Sequence, residues 1–262
     1  MEPLISLTFD VEEFDVIEEF GGSIPADEFY LPSRLGLDKL LPLLEREKIP
    51  ATLFCTAAYV ENQTAQMARA LEAGHEIASH GLKHSRLDEG DLAASKEKIE
   101  SLLGIKLQGF RAPRFAAVAP AQIAQAGYAY DSSINPTWLP GRYNYSTWPK
   151  TPFEHGQTIE IPASVTPMLR FPLFWLSFKN LPLGLYTSMC LRNLRHYGFL
   201  NLVFHPWEFS DLTNRRLPWY VKRIHGDALL ARLESLIASL RPHGQFARLD
   251  KHLEQFAKPV PV

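Results

Sequence analysis

The chain predicts an α/β domain on a parallel sheet, closing at this length into a barrel or partial barrel. Short apolar runs suited to buried strands recur along the whole chain, and helix-period stripes stand between them. No internal repeat or low-complexity linker divides the series. With 262 residues, 46% hydrophobic and 21% charged, one domain over 1–262 is the simplest organisation.

Residues 4–9 read as a buried strand that delivers Asp10, Glu12 and Glu13 at its carboxyl end. Ser33 offers a capping hydroxyl, and Leu37, Leu40, Leu41 and Leu44 keep a helical stripe until Lys48 and Pro50 stop it. The unit then repeats: strand 51–55, helix 66–71 ending at Gly74, strand 75–78, helix 91–103, strand 107–110. An Ala-rich helix over 120–126 closes at Gly127, and strands follow at 128–130 and 158–161. After a Pro-rich irregular region come helix 184–196, strand 200–204, helix 227–240 and a last strand at 245–249. The apolar stretch from Pro167 to Cys190 is broken by Arg170, Pro172, Lys179 and Pro182 well before a membrane span could form. It reads as a covering loop followed by a buried helix, with an apolar lid or subunit contact as the alternative.

Composition narrows the function classes. A net charge of -2 leaves no overall electrostatic footprint for nucleic acid or an anionic membrane. Cys55 and Cys190 have no ligand or disulfide spacing and read as reduced core residues. Leu4 to Phe9 has neither the basic nor the long apolar stretch of a secretory leader, so a cytoplasmic location is expected.

The chemistry begins at His80 and His84. Four positions apart, both rings can turn to one side and meet a single divalent cation. Hydrolysis at such a site needs a third protein ligand and an open position for water. Position in the chain supplies the company: Asp10, His80, Arg111, Asp131 and His205 each stand just past an apolar run. In a parallel barrel these strand ends converge on one face, where active sites are built.

Taken in order, Phe9-Asp10-Val11-Glu12, Ser79-His80-Gly81-Leu82-Lys83-His84, Gly109-Phe110-Arg111-Ala112-Pro113, Tyr130-Asp131-Ser132-Ser133 and Phe204-His205-Pro206-Trp207-Glu208 resemble the five motifs of the polysaccharide deacetylase family, the NodB homology domain of carbohydrate esterase family 4. The resemblance implies a distorted (β/α)7 TIM-like barrel and metal-dependent hydrolysis of an N-acetyl group on a saccharide. It implies His80, His84 and Glu12 as metal ligands, with zinc first and cobalt, manganese or iron also compatible with such a set. Asp10 would be the general base, oriented by Arg111, and His205 the general acid, oriented by Asp131. Two departures stand out: Val11 occupies the place of a second adjacent acid, leaving either Glu12 or Asp10 as the carboxylate ligand, and Arg114 stands where an aromatic residue is usual, with Phe115 one step later. Pro113, Phe115 and Trp207 are expected at the substrate, Trp207 as a stacking surface for a sugar. A small-amide hydrolase on the same barrel and a catalytically silent saccharide binder are the rival readings. A homo-oligomer is compatible with either.

Overall fold

In the computed structural model, which describes residues 2–88 and 90–256, the strands and helices alternate as the hydrophobic pattern predicts. In chain order the elements are β1 (Leu4–Val11), α1 (Leu31–Arg46), β2 (Thr52–Cys55), α2 (Ala57–Asn62), α3 (Thr64–Glu72), β3 (Glu76–Ser79), α4 (Asp91–Leu103), β4 (Gly109–Phe110), α5 (Pro120–Gln125) and β5 (Tyr130–Asp131). A hairpin of β6 (Trp138–Leu139) and β7 (Tyr143–Asn144) follows, then β8 (Phe153–His155), β9 (Thr158–Glu160), α6 (Trp175–Asn180), α7 (Leu183–Tyr197), β10 (Phe199–Phe204), α8 (Gly226–Leu240) and β11 (Gln245–Phe246).

The main sheet runs β10-β1-β2-β3-β4-β5-β9-β8. Its pairings are parallel except the β8–β9 hairpin. β11 joins Leu4 and Ile5 below the point where β2 meets β1 at Thr8. The sheet curls until its ends approach: Ser164, just past β9, exchanges backbone and side-chain hydrogen bonds with Asn201 of β10. This is the curled parallel barrel that the resemblance implies, with its last strand turned back as a hairpin.

The period-2 alternation of the strands decides what faces where. On β1, Ile5, Leu7, Phe9 and Val11 join the outer core with Leu37, Leu40 and Leu44 of α1 and Leu229, Leu233 and Leu236 of α8. The intervening Ser6, Thr8 and Asp10 are buried on the other, interior face. On β10, Leu200, Leu202 and Phe204 lie in the outer core, whereas Asn201 and Val203 face inward, toward Thr8 and Ala163.

Helix α1 begins two residues before the expected Ser33 cap. Ser33 therefore lies inside the helix, and its hydroxyl donates to the Glu12 carbonyl at 2.6 Å. Gly36, one turn on, lies so close to the 206–209 turn that a Cβ there would sit 1.7 Å from the Pro206 carbonyl oxygen. One helix thus holds the backbone at two of the functional strand ends. α2 and α6 were not foreseen, each being only six residues long. Both cysteines are free and buried.

Candidate metal and acid–base site

At the carboxyl end of the barrel, Glu12, His80 and His84 each offer a ligand atom within 4.8 Å of the others. Glu12 Oε2 lies 3.3 Å from His80 Nε2 and 3.1 Å from His84 Nε2. The Nδ1 atoms are both engaged, His80 with the Arg111 carbonyl at 2.8 Å and His84 with Asp15 Oδ1 at 2.5 Å. With Nδ1–H donating, each Nε2 presents a lone pair toward the carboxylate. Glu12 Oε2 and His80 Nε2 are buried and have no hydrogen-bond partner. Orphaned acceptors converging in this way are what a divalent cation would satisfy, so the donor set fits a metal.

Burial alone would raise Glu12, but the charges of His84, His205 and His80 outweigh it and hold the carboxyl down at about 2. Burial likewise opposes protonation of His84, yet Glu12 and Asp15 push it up to about 9.

Strand parity explains the sequence Asp10-Val11-Glu12. Val11 completes the outer core, so the second acid able to share Asp10's face stands two places on. Gly81 makes the turn between the histidines possible with φ of +82°, a conformation that costs a side-chain-bearing residue. His84 therefore lies in a loop. Its orienting Asp15 opens a 3-10 turn over Asp15–Phe20 and is braced from behind by Arg114 at 3.1 Å. Arg114, whose type departs from the family pattern, also pairs with Glu19 at 2.9 Å.

Asp10 accepts from Arg111 Nη1 at 2.6 Å. Arg111 is fully buried and fixed by further bonds to Thr8 Oγ1 at 3.1 Å and to the Ser132 hydroxyl and carbonyl at 2.9 and 3.1 Å, with its guanidinium 4.0 Å from the centre of the Phe54 ring. The result is a carboxylate in one orientation beside the cluster.

His205 meets a different acid from the one expected. Its Nδ1 is 3.1 Å from Glu208 Oε1, and its Nε2 faces the cluster, 3.9 Å from Glu12 Oε1. Burial works against its charge, but Glu12 and Glu208 raise its pKa. Glu208 is itself paired at 2.8 Å with Lys179 of α6, and both side chains are fully buried. The orienting acid is thus Glu208, and the assignment of that role to Asp131 is corrected. Asp131 has the wrong parity: Tyr130 packs with the interior cluster of Phe54, Ala78 and Ile161, so the next side chain turns away. Asp131 accepts from Ser133 Oγ at 2.5 Å and stands opposite Glu160, its partner in register on β9. Burial raises both acids, Asp131 to about 6.

Trp207 is also relocated. It is buried, donates from Nε1 to Glu12 Oε1 at 3.3 Å and stacks on His205, so its ring packs within the site and offers a sugar no open face. A cavity of about 280 Å³ opens onto Asp10, Glu12, His84 and His205, walled by Phe115, Tyr143 and Trp175. Pro113 is buried and is not among the residues that line it.

Sequence reasoning missed Asp15, Glu208 and Lys179. Glu208 carried a local signal, an acid three residues after a histidine at a strand end, where it also caps the His205 N–H at 2.8 Å. Asp15 had only its closeness to the acid-rich strand exit, and Lys179 had none.

Residues 2–130 match the model of the polysaccharide deacetylase family, the family that the five motifs resemble. Over 127 residues the chain is 28% identical to a peptidoglycan deacetylase of Helicobacter pylori, a match covering 44% of this chain and 43% of that protein. The matched stretch therefore spans less than half of that relative. In fold the chain resembles the PuuE allantoinase (TM-score 0.68, 15% identity, 98% of this chain and 92% of that one). It also resembles a Mycobacterium smegmatis protein assigned to the polysaccharide deacetylases (TM-score 0.66, 18% identity, 100% and 94%).

Proposed function

We propose that this protein is a metal-dependent N-deacetylase that removes acetyl groups from amino sugars of a cell-wall polysaccharide, an exopolysaccharide or a precursor of either, releasing acetate. One observation carries the reading: the orphaned Glu12–His80–His84 cluster stands beside an arginine-pinned carboxylate and a carboxylate-oriented imidazole. The family match supports the deacetylase class. The similarity to a peptidoglycan deacetylase of Helicobacter pylori supports an N-acetylated wall sugar.

An amide needs a stronger nucleophile than water, a polarised carbonyl and a proton for its leaving nitrogen. A divalent cation held by Glu12, His80 and His84 supplies Lewis acidity for the first two, and zinc is the first choice for the set. Asp10, pinned through Oδ1 by Arg111, takes the proton of the attacking water on its second oxygen. As the water oxygen bonds to the carbonyl carbon and the C–N bond breaks, His205 gives its Nε2 proton to the departing amine. Glu208 and the Lys179 charge behind it keep that imidazole oriented. Acetate and the free amino sugar are the products.

The test is metal content by plasma mass spectrometry beside acetate release from N-acetylglucosamine oligomers. About one equivalent of metal is expected in the wild type, and both metal and acetate release are expected to be lost in His80→Ala and Glu12→Ala. Metal retained in Glu12→Ala would move the carboxylate ligand elsewhere, and no metal in a replete wild type would overturn the mechanism. The cavity's modest volume also suits a small non-sugar amide. Turnover of small cyclic or linear amides without acetate release from any N-acetylated saccharide would favour that second reading.

A further inference from the structure

Away from this site, one stretch of surface combines protruding apolar side chains with one sign of charge. The Val165–Pro172 bridge closes a turn over 166–171, pinned by the Phe171 N–H, which donates to Thr166 Oγ1, and by the Thr166 N–H, which donates to the Phe171 carbonyl. At its tip Met168 and Leu169 are 77% and 86% exposed, the most exposed large apolar side chains among the described residues. Beside it, Leu185, Ser188, Arg192 and Arg195 of α7 form an exposed stripe at positions i, i+3, i+7 and i+10. Arg192 Nη2 lies 3.7 Å from Met168 Sδ, which joins stripe and tip into one surface.

The charge pattern of this stretch is one-sided. From Ile161 to Trp207 there is no aspartate or glutamate, and all 29 acidic residues lie elsewhere in the chain. Of its four cationic residues, Lys179 is buried against Glu208, and Arg170 is turned to the Pro136 and Trp148 carbonyls. Arg192 and Arg195 stay exposed with no acid on their own segment.

A protruding two-residue tip buries too little area for a stable protein interface, whereas interfacial binding needs only apolar anchors that enter the headgroup boundary and cations that meet phosphate. We propose that the 166–171 turn and the exposed stripe of α7 dock on an anionic lipid bilayer. Met168 and Leu169 insert, and Arg192 and Arg195 lie at the headgroups. The turn is braced on the loop that walls the cavity, through Arg170 and through Lys150, which donates to the Pro167 carbonyl at 2.5 Å. Docking would therefore bring the site to the membrane surface, whatever its substrate.

The experiment is co-sedimentation of the full chain with vesicles of phosphatidylcholine alone and of phosphatidylcholine with phosphatidylglycerol, at low and raised salt. Binding is expected only to the anionic vesicles and is expected to weaken with salt. R192E/R195E should weaken it at least about tenfold, on the scale of about 1 kcal/mol per cation near such a surface, and M168S/L169S should weaken it by a similar factor through the apolar area that no longer inserts. K106E, in an exposed basic residue outside the patch, should leave it unchanged. Circular dichroism of each variant confirms that the fold survives. No binding to anionic vesicles, equal binding by all variants, or equal binding to neutral vesicles would overturn the proposal. So would a concentration-dependent dimer that M168S/L169S dissociates, which would make the patch a subunit contact.

Discussion

Lys179, Glu208 and His205 form a chain of charge that ends beside the Glu12–His80–His84 cluster. Asp131 has no contact with His205, so Asp131→Asn should change kcat for acetate release far less than Glu208→Gln, which is expected to lower it on the order of a hundredfold or more. Steady-state acetate assays on the two variants decide the assignment. Asp15 acts through His84, holding the ring so that Nε2 faces Glu12. Asp15→Asn should therefore weaken metal affinity by about 10–100-fold, read by competition with a chelator, while leaving the unfolding midpoint of the metal-free protein little changed. The buried Asp131–Glu160 pair tests a different property. Glu160 has a folded pKa raised above its unfolded value by burial first and the Asp131 charge second. Such a group keeps its proton in the folded chain after the unfolded chain has lost it, so stability falls as pH rises above about 4.5. Glu160→Gln keeps an acceptor for the Ile134 N–H. Its stability relative to the wild type should accordingly increase from acidic to alkaline pH in urea unfolding at several pH values, and a pH-independent difference would refute the raised pKa of Glu160.

Among the elements, α1 does the most positioning. Ser33 and Gly36 lie about one turn apart on it, one bonded to the Glu12 carbonyl and the other against Pro206. The approach at Gly36 is backbone to helix, so an added methyl has nowhere to go. Gly36→Ala is expected to cost about 2–4 kcal/mol in equilibrium unfolding and to shift the strand end that carries His205. The strands show how far element-level reading reaches. The existence and order of β1–β5, β9, β10 and β11 were legible because each lies in an apolar run bounded by polar residues, whereas β6, β7 and β8, two or three residues each, have no such run. Their parity was legible too, in principle. Asp10 and Glu12 share a face because they are two apart, and Asp131 misses the interior because Tyr130 occupies that phase. Counting strand ends finds the neighbourhood of a site, and counting alternation finds which side chains enter it.

For the whole molecule, the barrel closes by one polar contact set. Asn201 donates to the Pro162 carbonyl at 3.1 Å and accepts from Thr8 at 3.1 Å, and its backbone meets Ser164. Because all these groups are buried, Asn201→Ala should lose about 1–3 kcal/mol, measured by urea unfolding. A net charge of -2 describes the chain as a whole and hides its segregation, since an acid-free stretch of sequence can coexist with a slightly acidic total. Order along the chain was sufficient for the α/β class, the alternation of strands and helices, the outer core of α1 and α8, and the ordered motifs that mark the family. Those properties depend on local periodicity and on residue type, which a linear text carries. Folding alone decided that Glu208 rather than Asp131 serves His205, that Trp207 is packed inside, that Arg114 braces Asp15, and that Lys179 supplies a charge from 29 residues before Glu208. Each of these is a contact between side chains brought together by sheet curvature and helix packing, and contact geometry at a few ångströms has no signature in spacing along the chain.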